Sequence, residues 1–189
     1  MQLFLIRHLR TDAPKNSLLG HSDVSLSNES RIFARQNIDL YSHLSESDFP
    51  TLYFSSDLKR CTETCSLLFP TKKFQHDNRL REMNFGIHEL KTWKALARED
   101  PIFYETYMKN WKTEPFPGGE SISDVLKRMK EFFRELSQTY KAQKAVAVTH
   151  SGIIRLSLHL LGRASLEEAL EVKVDYGEIV EINTDDIKV

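Results

Sequence analysis

Short apolar runs separated by long amphipathic stretches predict a three-layer α/β/α sandwich on a mainly parallel central sheet. Three observations carry this. Residues 3–6 (LFLI) and 145–148 (AVAV) are wholly apolar, as strands buried on both faces are. Helical periodicity fills the intervals between the runs, which parallel strands need for their crossovers. A chain of 189 residues with 40% hydrophobic content suits one domain with a substantial core.

The elements follow in order. Residues 3–6 form the first strand. Ser27 is placed to cap a helix running to about Leu44, with Ile32, Phe33, Ile38, Leu40 and Leu44 as its apolar positions. Residues 51–54 (TLYF) are β-prone, and Ser56 is expected to cap a helix from Asp57 to about Leu68, stopped by Pro70. Residues 87–116 are the least regular part, a helical excursion rich in aromatics. The segment 87–120 is therefore expected to be a lid inserted into a single domain spanning 1–189. Ser121 and Asp124 make a capping-box-like start for a helix through about Tyr140. Its residues Ile122, Val125, Met129, Phe132, Phe133 and Leu136 keep the helical period. After the strand at 145–148, a helix beginning at Ser151-Gly152 is expected to end at Gly162. Residues 170–174 and 178–182 read as two strands of a hairpin around Asp175-Tyr176-Gly177.

Composition narrows the function. Lys plus Arg number 26 against 27 Asp plus Glu, a formal net charge of −1. That balance argues against nucleic acid or an anionic membrane as partner and leaves room for one small anion. The N-terminus lacks a basic leader, and no window has the apolar length of a membrane span. Cys61 and Cys65 read as small buried thiols, so a reducing, cytoplasmic location is expected.

The chemistry is expected at the carboxyl ends of the strands, where open α/β sheets bind ligands. Residues 3–6 run into Arg7-His8, and 145–148 run into Thr149-His150-Ser151-Gly152. Residues 51–54 lead through Ser55-Ser56 to a helix carrying Arg60. Arg7, His8, Arg60 and His150 would then converge as a cationic cluster, which phosphate fits best. Guanidinium groups match its oxygens, and the helix from Ser151 adds backbone N–H donors. A neutral imidazole can attack phosphorus, and Glu82 or Glu89 in LREMNFGIHEL could supply the proton for the leaving alkoxide.

Taken in series, Arg7-His8, Arg60 in SSDLKRCTET, Glu82 in LREMNFG and His150 in VTHSG resemble the histidine phosphatase superfamily. That group includes phosphoglycerate mutases and many phosphomonoesterases. The resemblance spans essentially the whole chain and implies a phosphoglycerate mutase-like fold. It implies His8 as the nucleophile, Arg7 and Arg60 as phosphate clamps, and Glu82 as general acid. His150 would bind phosphate and stabilise transition-state charge, helped by Ser151. No metal or other cofactor is implied.

The chain also departs from the family pattern. Leu9 and Arg10 replace the glycine and the acid or amide of RHGET, so that Leu9 is a candidate to crowd the pocket. Pro14 stands where an asparagine is frequent. Arg10, Thr11 and His21 are rim candidates for contact with substrate.

The middle of the chain resembles α-ribazole-phosphate phosphatases in MNFGIHE, in the aromatic spacing and in FPGGES. Tyr104, Tyr107 and Trp111 share a helical face, as a stacking platform for a flat base or a packing face for the insertion. Trp93 has the same two readings. The expected partner is a small phosphomonoester. The leading expectation is a phosphomonoesterase for α-ribazole 5′-phosphate in cobalamin biosynthesis; the rivals are a phosphoglycerate mutase, a broad-specificity small-molecule phosphatase, a silent phospholigand-binding protein, and a phosphatase of phosphohistidine in proteins. His43, His76, His88 and His159 are expected at the surface or as satisfied core residues. Lys127, Arg128 and Lys130 read as the wet face of a helix.

Overall fold

The computed structural model describes residues 1–44, 51–140 and 144–187. Its centre is a five-stranded sheet in the order β3-β2-β4-β1-β5. The strands are β1 (Gln2–Arg7), β2 (Thr51–Ser55), β3 (Gln75–His76), β4 (Lys144–Thr149) and β5 (Ile179–Asn183). β1 to β4 are mutually parallel, and β5 joins antiparallel to β1.

Strand alternation divides the core into two layers. Leu3, Leu5, Ala145 and Ala147 face one side, where α5 (Ile122–Thr139) and α6 (Ser151–Leu160) pack. Phe4, Ile6, Val146 and Val148 face the other, under α1 (Asn28–Ser42) and α2 (Lys59–Leu68). The three-layer prediction holds. α5 is the clearest helix in the sequence and in the structure. Ser121 and Asp124 form a complete capping box, and Ile122, Val125, Met129, Phe132, Phe133 and Leu136 are all buried.

The insertion adds α3 (Trp93–Glu99) and α4 (Pro101–Asn110). It is packed down, with Leu96, Tyr107 and Phe116 in the same cluster as the α5 residues. Among the described residues no helix is long and apolar enough to cross a membrane.

Three local readings need correction. Ser27 does cap α1, but Ile32 and Leu40 are 56% and 54% exposed, and Phe33 and Ile38 also face solvent. The buried face is Ser30, Ala34 and Tyr41. Polar anchors set that orientation: Ser30 Oγ donates to Arg10 O at 2.7 Å and Tyr41 Oη donates to Gly177 O at 2.8 Å. Only Leu44, just past the helix, is buried as expected.

Ser56 is not the cap of α2, which starts after Leu58, and its hydroxyl faces His150 instead. The first N–H of α2, on Lys59, is met by Asp23 Oδ1 at 2.7 Å.

The C-terminal hairpin does not form. Residues 170–171 end α7 (Leu166–Glu171), which is started by a Ser165–Glu168 capping box. Residues 172–175 stay outside the sheet, because β5 finds its partner in β1.

The corrected α1 face is testable by chemical denaturation. Leu40→Gln is expected to change the unfolding free energy by less than about 0.5 kcal/mol, as for an exposed site. Phe133→Ala is expected to cost about 3–5 kcal/mol through the cavity it leaves.

Candidate active site

Three adjacent strand ends supply the site. The register sets Arg7 beside Thr149 and Ser55 beside Val148. His8, His150 and Ser56 therefore emerge side by side. The pairing continues one step past the strands, as His8 N donates to Thr149 O and Ser56 N to Val148 O, both at 2.9 Å. The imidazole centroids of His8 and His150 lie 5.1 Å apart. Both rings are buried, at 4% and 0% exposure.

Their partners assign the tautomers. His8 Nδ1 lies 2.7 Å from Leu9 O, and a carbonyl only accepts, so Nδ1 holds the proton and Nε2 the lone pair. Arg60 Nε donates to His150 Nδ1 at 3.2 Å, so His150 carries its proton on Nε2, 3.0 Å from Ser56 Oγ. Cys61 Sγ stands 3.5 Å from that same nitrogen. Burial first, and then the Arg60 charge, hold both histidines well below their ordinary pKa. A neutral imidazole with a free Nε2 lone pair is a competent nucleophile toward phosphorus.

Arg60 is wholly buried. Its Nη1 donates to Ser22 O at 2.9 Å and its Nη2 to Gly20 O at 2.6 Å. The N–H groups of that same loop turn the other way, onto Glu89. Its carboxylate accepts from Gly20 N at 3.1 Å, His21 N at 2.8 Å, Ser22 N at 2.9 Å and Phe85 N at 2.9 Å. Burial opposes the Glu89 charge, but the donations from Phe85, Ser22 and His21 outweigh it and hold this carboxyl below its usual range.

Glu82 reaches the N-terminus of α6, where its Oε2 accepts from Gly152 N at 3.0 Å and its Oε1 from Met83 N at 3.1 Å. Gly152 makes this possible, since a Cβ there would lie 2.2 Å from Glu82 Oε1. Arg128, read from the sequence as solvated, is instead tucked beneath the Glu82 segment. Its Nη1 donates to Arg79 O and Arg81 O, both at 2.7 Å, and its Nη2 to Glu82 O at 3.0 Å. Glu120 supplies the counter-charge, with Oε1 2.8 Å from Arg128 Nε. A residue pointing inward from a long helix cannot be told from its exposed neighbours by charge alone.

The other candidates divide. Arg7 Nη1 donates to Val174 O at 2.6 Å, and its guanidinium carbon lies 3.8 Å from the centre of the Tyr176 ring. Its Nε is buried and has no hydrogen-bond partner among the described residues. Ser151 is the first residue of α6. His21 Nε2 lies 3.0 Å from Glu82 O, at the pocket-side loop. Thr11 is buried and accepts from Ala13 N, while Arg10 is exposed and pairs loosely with Glu29 at 3.9 Å.

Trp93 packs on Tyr107 and Tyr104 at 5.6 and 6.4 Å, and Tyr104 and Trp111 rest against the main core. These aromatics seat the insertion. His88, expected to be surface or satisfied, is buried with neither ring nitrogen hydrogen-bonded among the described residues, stacked on Phe103 with Asp100 Oδ2 3.3 Å from Nε2.

Leu9 does not crowd the pocket. It is buried with Leu26, Tyr41 and Cys61, and its φ is not among the positive values of the described residues. Ser56, Arg128 and Tyr176 were missed as site residues by sequence reasoning. Among the described residues no three His, Cys, Asp or Glu side chains group as metal ligands.

The family model described as "Histidine phosphatase superfamily (branch 1)" matches residues 3–188. The adenosylcobalamin/alpha-ribazole phosphatase of Escherichia coli (strain K12) is 28% identical over 180 residues, covering 94% of this chain and 87% of that protein. The crystal structure of the alpha-ribazole phosphatase from Shigella flexneri superposes with a TM-score of 0.82 at 27% identity, covering 97% of this chain and 90% of that one. A phosphoglycerate mutase structure from Thermus thermophilus gives a TM-score of 0.69 at 31% identity, over 97% and 93% of the two chains.

The Glu89 cluster carries a pH signature. Because its native pKa is depressed, its stabilisation is complete above the unfolded value near 4.5 and is lost as pH falls through the lower native value. Glu89→Gln is expected to cost about 1.5–3 kcal/mol at neutral pH. It should also flatten the acid limb of a stability-against-pH curve measured by urea unfolding.

Proposed function

The chain belongs to the histidine phosphatase superfamily, branch 1, and is a phosphatase; on that premise we propose a phosphomonoesterase acting through a phosphohistidine at His8. The observation that carries the reading is the His8 tautomer. Its Nδ1–H is spent on Leu9 O, which leaves the Nε2 lone pair free among cationic groups.

His8 Nε2 attacks phosphorus while the P–O bond to the alcohol breaks. Glu82, in its acid form, gives the leaving oxygen a proton and becomes a carboxylate. That carboxylate then takes a proton from water, whose oxygen displaces His8 from phosphorus and releases inorganic phosphate. Arg60, Arg7 and the Ser151 N–H at the start of α6 hold the phosphoryl oxygens. His150 joins them by exchanging its Nε2–H from Ser56 Oγ to a phosphoryl oxygen. The chemistry needs no metal or cofactor, because fixed cations meet the developing charge.

The proposed substrate is α-ribazole 5′-phosphate, in cobalamin biosynthesis. Support comes from the names of the Escherichia coli and Shigella flexneri proteins and from the FPGGES and MNFGIHE segments. Likeness to the Thermus thermophilus enzyme favours a second reading, a mutase that returns the phosphoryl group to product.

Phosphate release from a panel including α-ribazole 5′-phosphate and 3-phosphoglycerate separates the two. Hydrolysis preferring α-ribazole 5′-phosphate is expected, with turnover abolished in His8→Ala; interconversion of phosphoglycerates without phosphate release would replace the phosphatase reading with the mutase. For Glu82→Gln, turnover of esters with poor leaving groups is expected to fall about 10²–10⁴-fold, the range of general acid catalysis. Nitrophenyl phosphate should lose far less. Equal losses on both would remove Glu82 from the acid role.

A further inference from the structure

His8 touches two rings, His150 at 5.1 Å and Tyr176 at 5.7 Å between centroids. Of the three, only Tyr176 reaches solvent, at 37% exposure against 4% for His8 and 0% for His150. Tyr176 is also fixed in place. Gly177 N donates to Arg7 O at 3.0 Å, Arg7 N to Glu178 O at 3.1 Å, and Glu178 N to Asp175 O at 3.1 Å. Tyr41 Oη closes the other side of the turn on Gly177 O. Gly177 is required there, since it has φ +77° and a Cβ would lie 2.7 Å from the Tyr41 hydroxyl.

The ring is thus a rigid aromatic wall beside the nucleophile, with Arg7 close on it at 3.8 Å and Arg10 loose at 5.7 Å. In an in-line transfer to His8 Nε2, the alcohol leaves on the side of phosphorus away from the imidazole. With His8 this deeply buried, the alcohol departs toward solvent, and Tyr176 is the solvent-exposed ring in contact with His8. No other aromatic is in contact with His8 among the described residues.

We propose that Tyr176 is the specificity-determining residue of the site, stacking on a flat ring carried by the leaving alcohol close to the phosphate. The substrate class is a phosphomonoester of a ring-bearing alcohol, as against a short aliphatic phosphate. The proposal rests on the phosphatase reading and assigns selectivity to the turn before β5. The half-exposed Arg10, held by a 3.9 Å ion pair, is free to yield its place to such a ring.

The test compares kcat/KM for p-nitrophenyl phosphate and α-ribazole 5′-phosphate with that for glycerol 3-phosphate and phosphoserine, in the full chain and in Tyr176→Ala and Tyr176→Phe. The ratio of ring-bearing to aliphatic kcat/KM is expected to fall about tenfold in Tyr176→Ala, as for loss of one aromatic stacking contact. Most of that fall should lie in KM, and Tyr176→Phe should restore the ratio. Competitive inhibition by inorganic phosphate serves as the control on Arg7. An unchanged ratio, or equal loss on both ester classes matched by weaker phosphate inhibition, overturns the proposal and leaves Tyr176 as a support for Arg7. Failure of the wild-type chain to hydrolyse any of the four esters overturns the phosphatase reading as well.

Discussion

Burying a guanidinium with no carboxylate against it is costly unless its donors are met by fixed dipoles, and Arg60 is such a group. It is wholly buried, and among the described residues it forms no ion pair. Two backbone carbonyls and one imidazole nitrogen meet its charge. Those carbonyls point inward because the N–H groups of the same loop are drawn outward by Glu89. One peptide loop is therefore polarised between an anion and a cation. The anion is kept at a distance from the arginine, so the guanidinium keeps an unneutralised field for an incoming oxyanion. A direct Glu–Arg pair would be the more stable arrangement and the poorer phosphate site.

The same unneutralised charge dictates the state of the histidines. With Arg60 adjacent and solvent excluded, protonating either imidazole would add a second buried cation, so both are pushed toward the neutral form. Neutrality is what a nucleophile needs, and the choice of nitrogen is made by backbone rather than by a second side chain. Leu9 O takes the Nδ1 proton of His8. That carbonyl can be placed there because Leu9 itself is anchored, with its side chain in the α1–α2 layer and its N–H on Thr64 Oγ1 at 3.1 Å. A leucine after the histidine is thus compatible with the site.

How legible this was in the sequence depended on whether a residue's neighbours are local. Strands β1, β2 and β4 and helix α5 follow from short-range pattern, and so does the arrival of His8 and His150 at one sheet edge, because parallel strands fix the edge on which chemistry collects. α1 misled because its apolar side chains outnumber its buried ones. Two hydroxyls with distant partners, Ser30 on Arg10 O and Tyr41 on Gly177 O, turned the helix. The hairpin at 170–182 misled because LEVKV alternates, while the capping box at Ser165, which decides the matter, lies just upstream. The backbone-holding roles of Arg128 and Glu89, the latter read from the sequence only as a possible proton donor, were unreadable for one reason. Each acts on backbone atoms of a remote loop, and backbone partners leave no mark in the sequence.

Selectivity follows the same logic of rigid support. The aromatic insertion is the conspicuous feature of the sequence, yet Tyr107 and Phe116 face the main core and Trp93 and Tyr104 lie against their cluster. Their energy is spent on seating α3 and α4. Tyr176 is a single ring in a turn, inconspicuous by composition, but it belongs to the same hydrogen-bonded unit as the Arg7 backbone. A wall tied by backbone hydrogen bonds to the strand that carries His8 is held in register with it. Discrimination among phosphate esters needs a contact whose position relative to the leaving group is held to about 0.5 Å. The turn before β5 meets that requirement through the backbone of β1 itself.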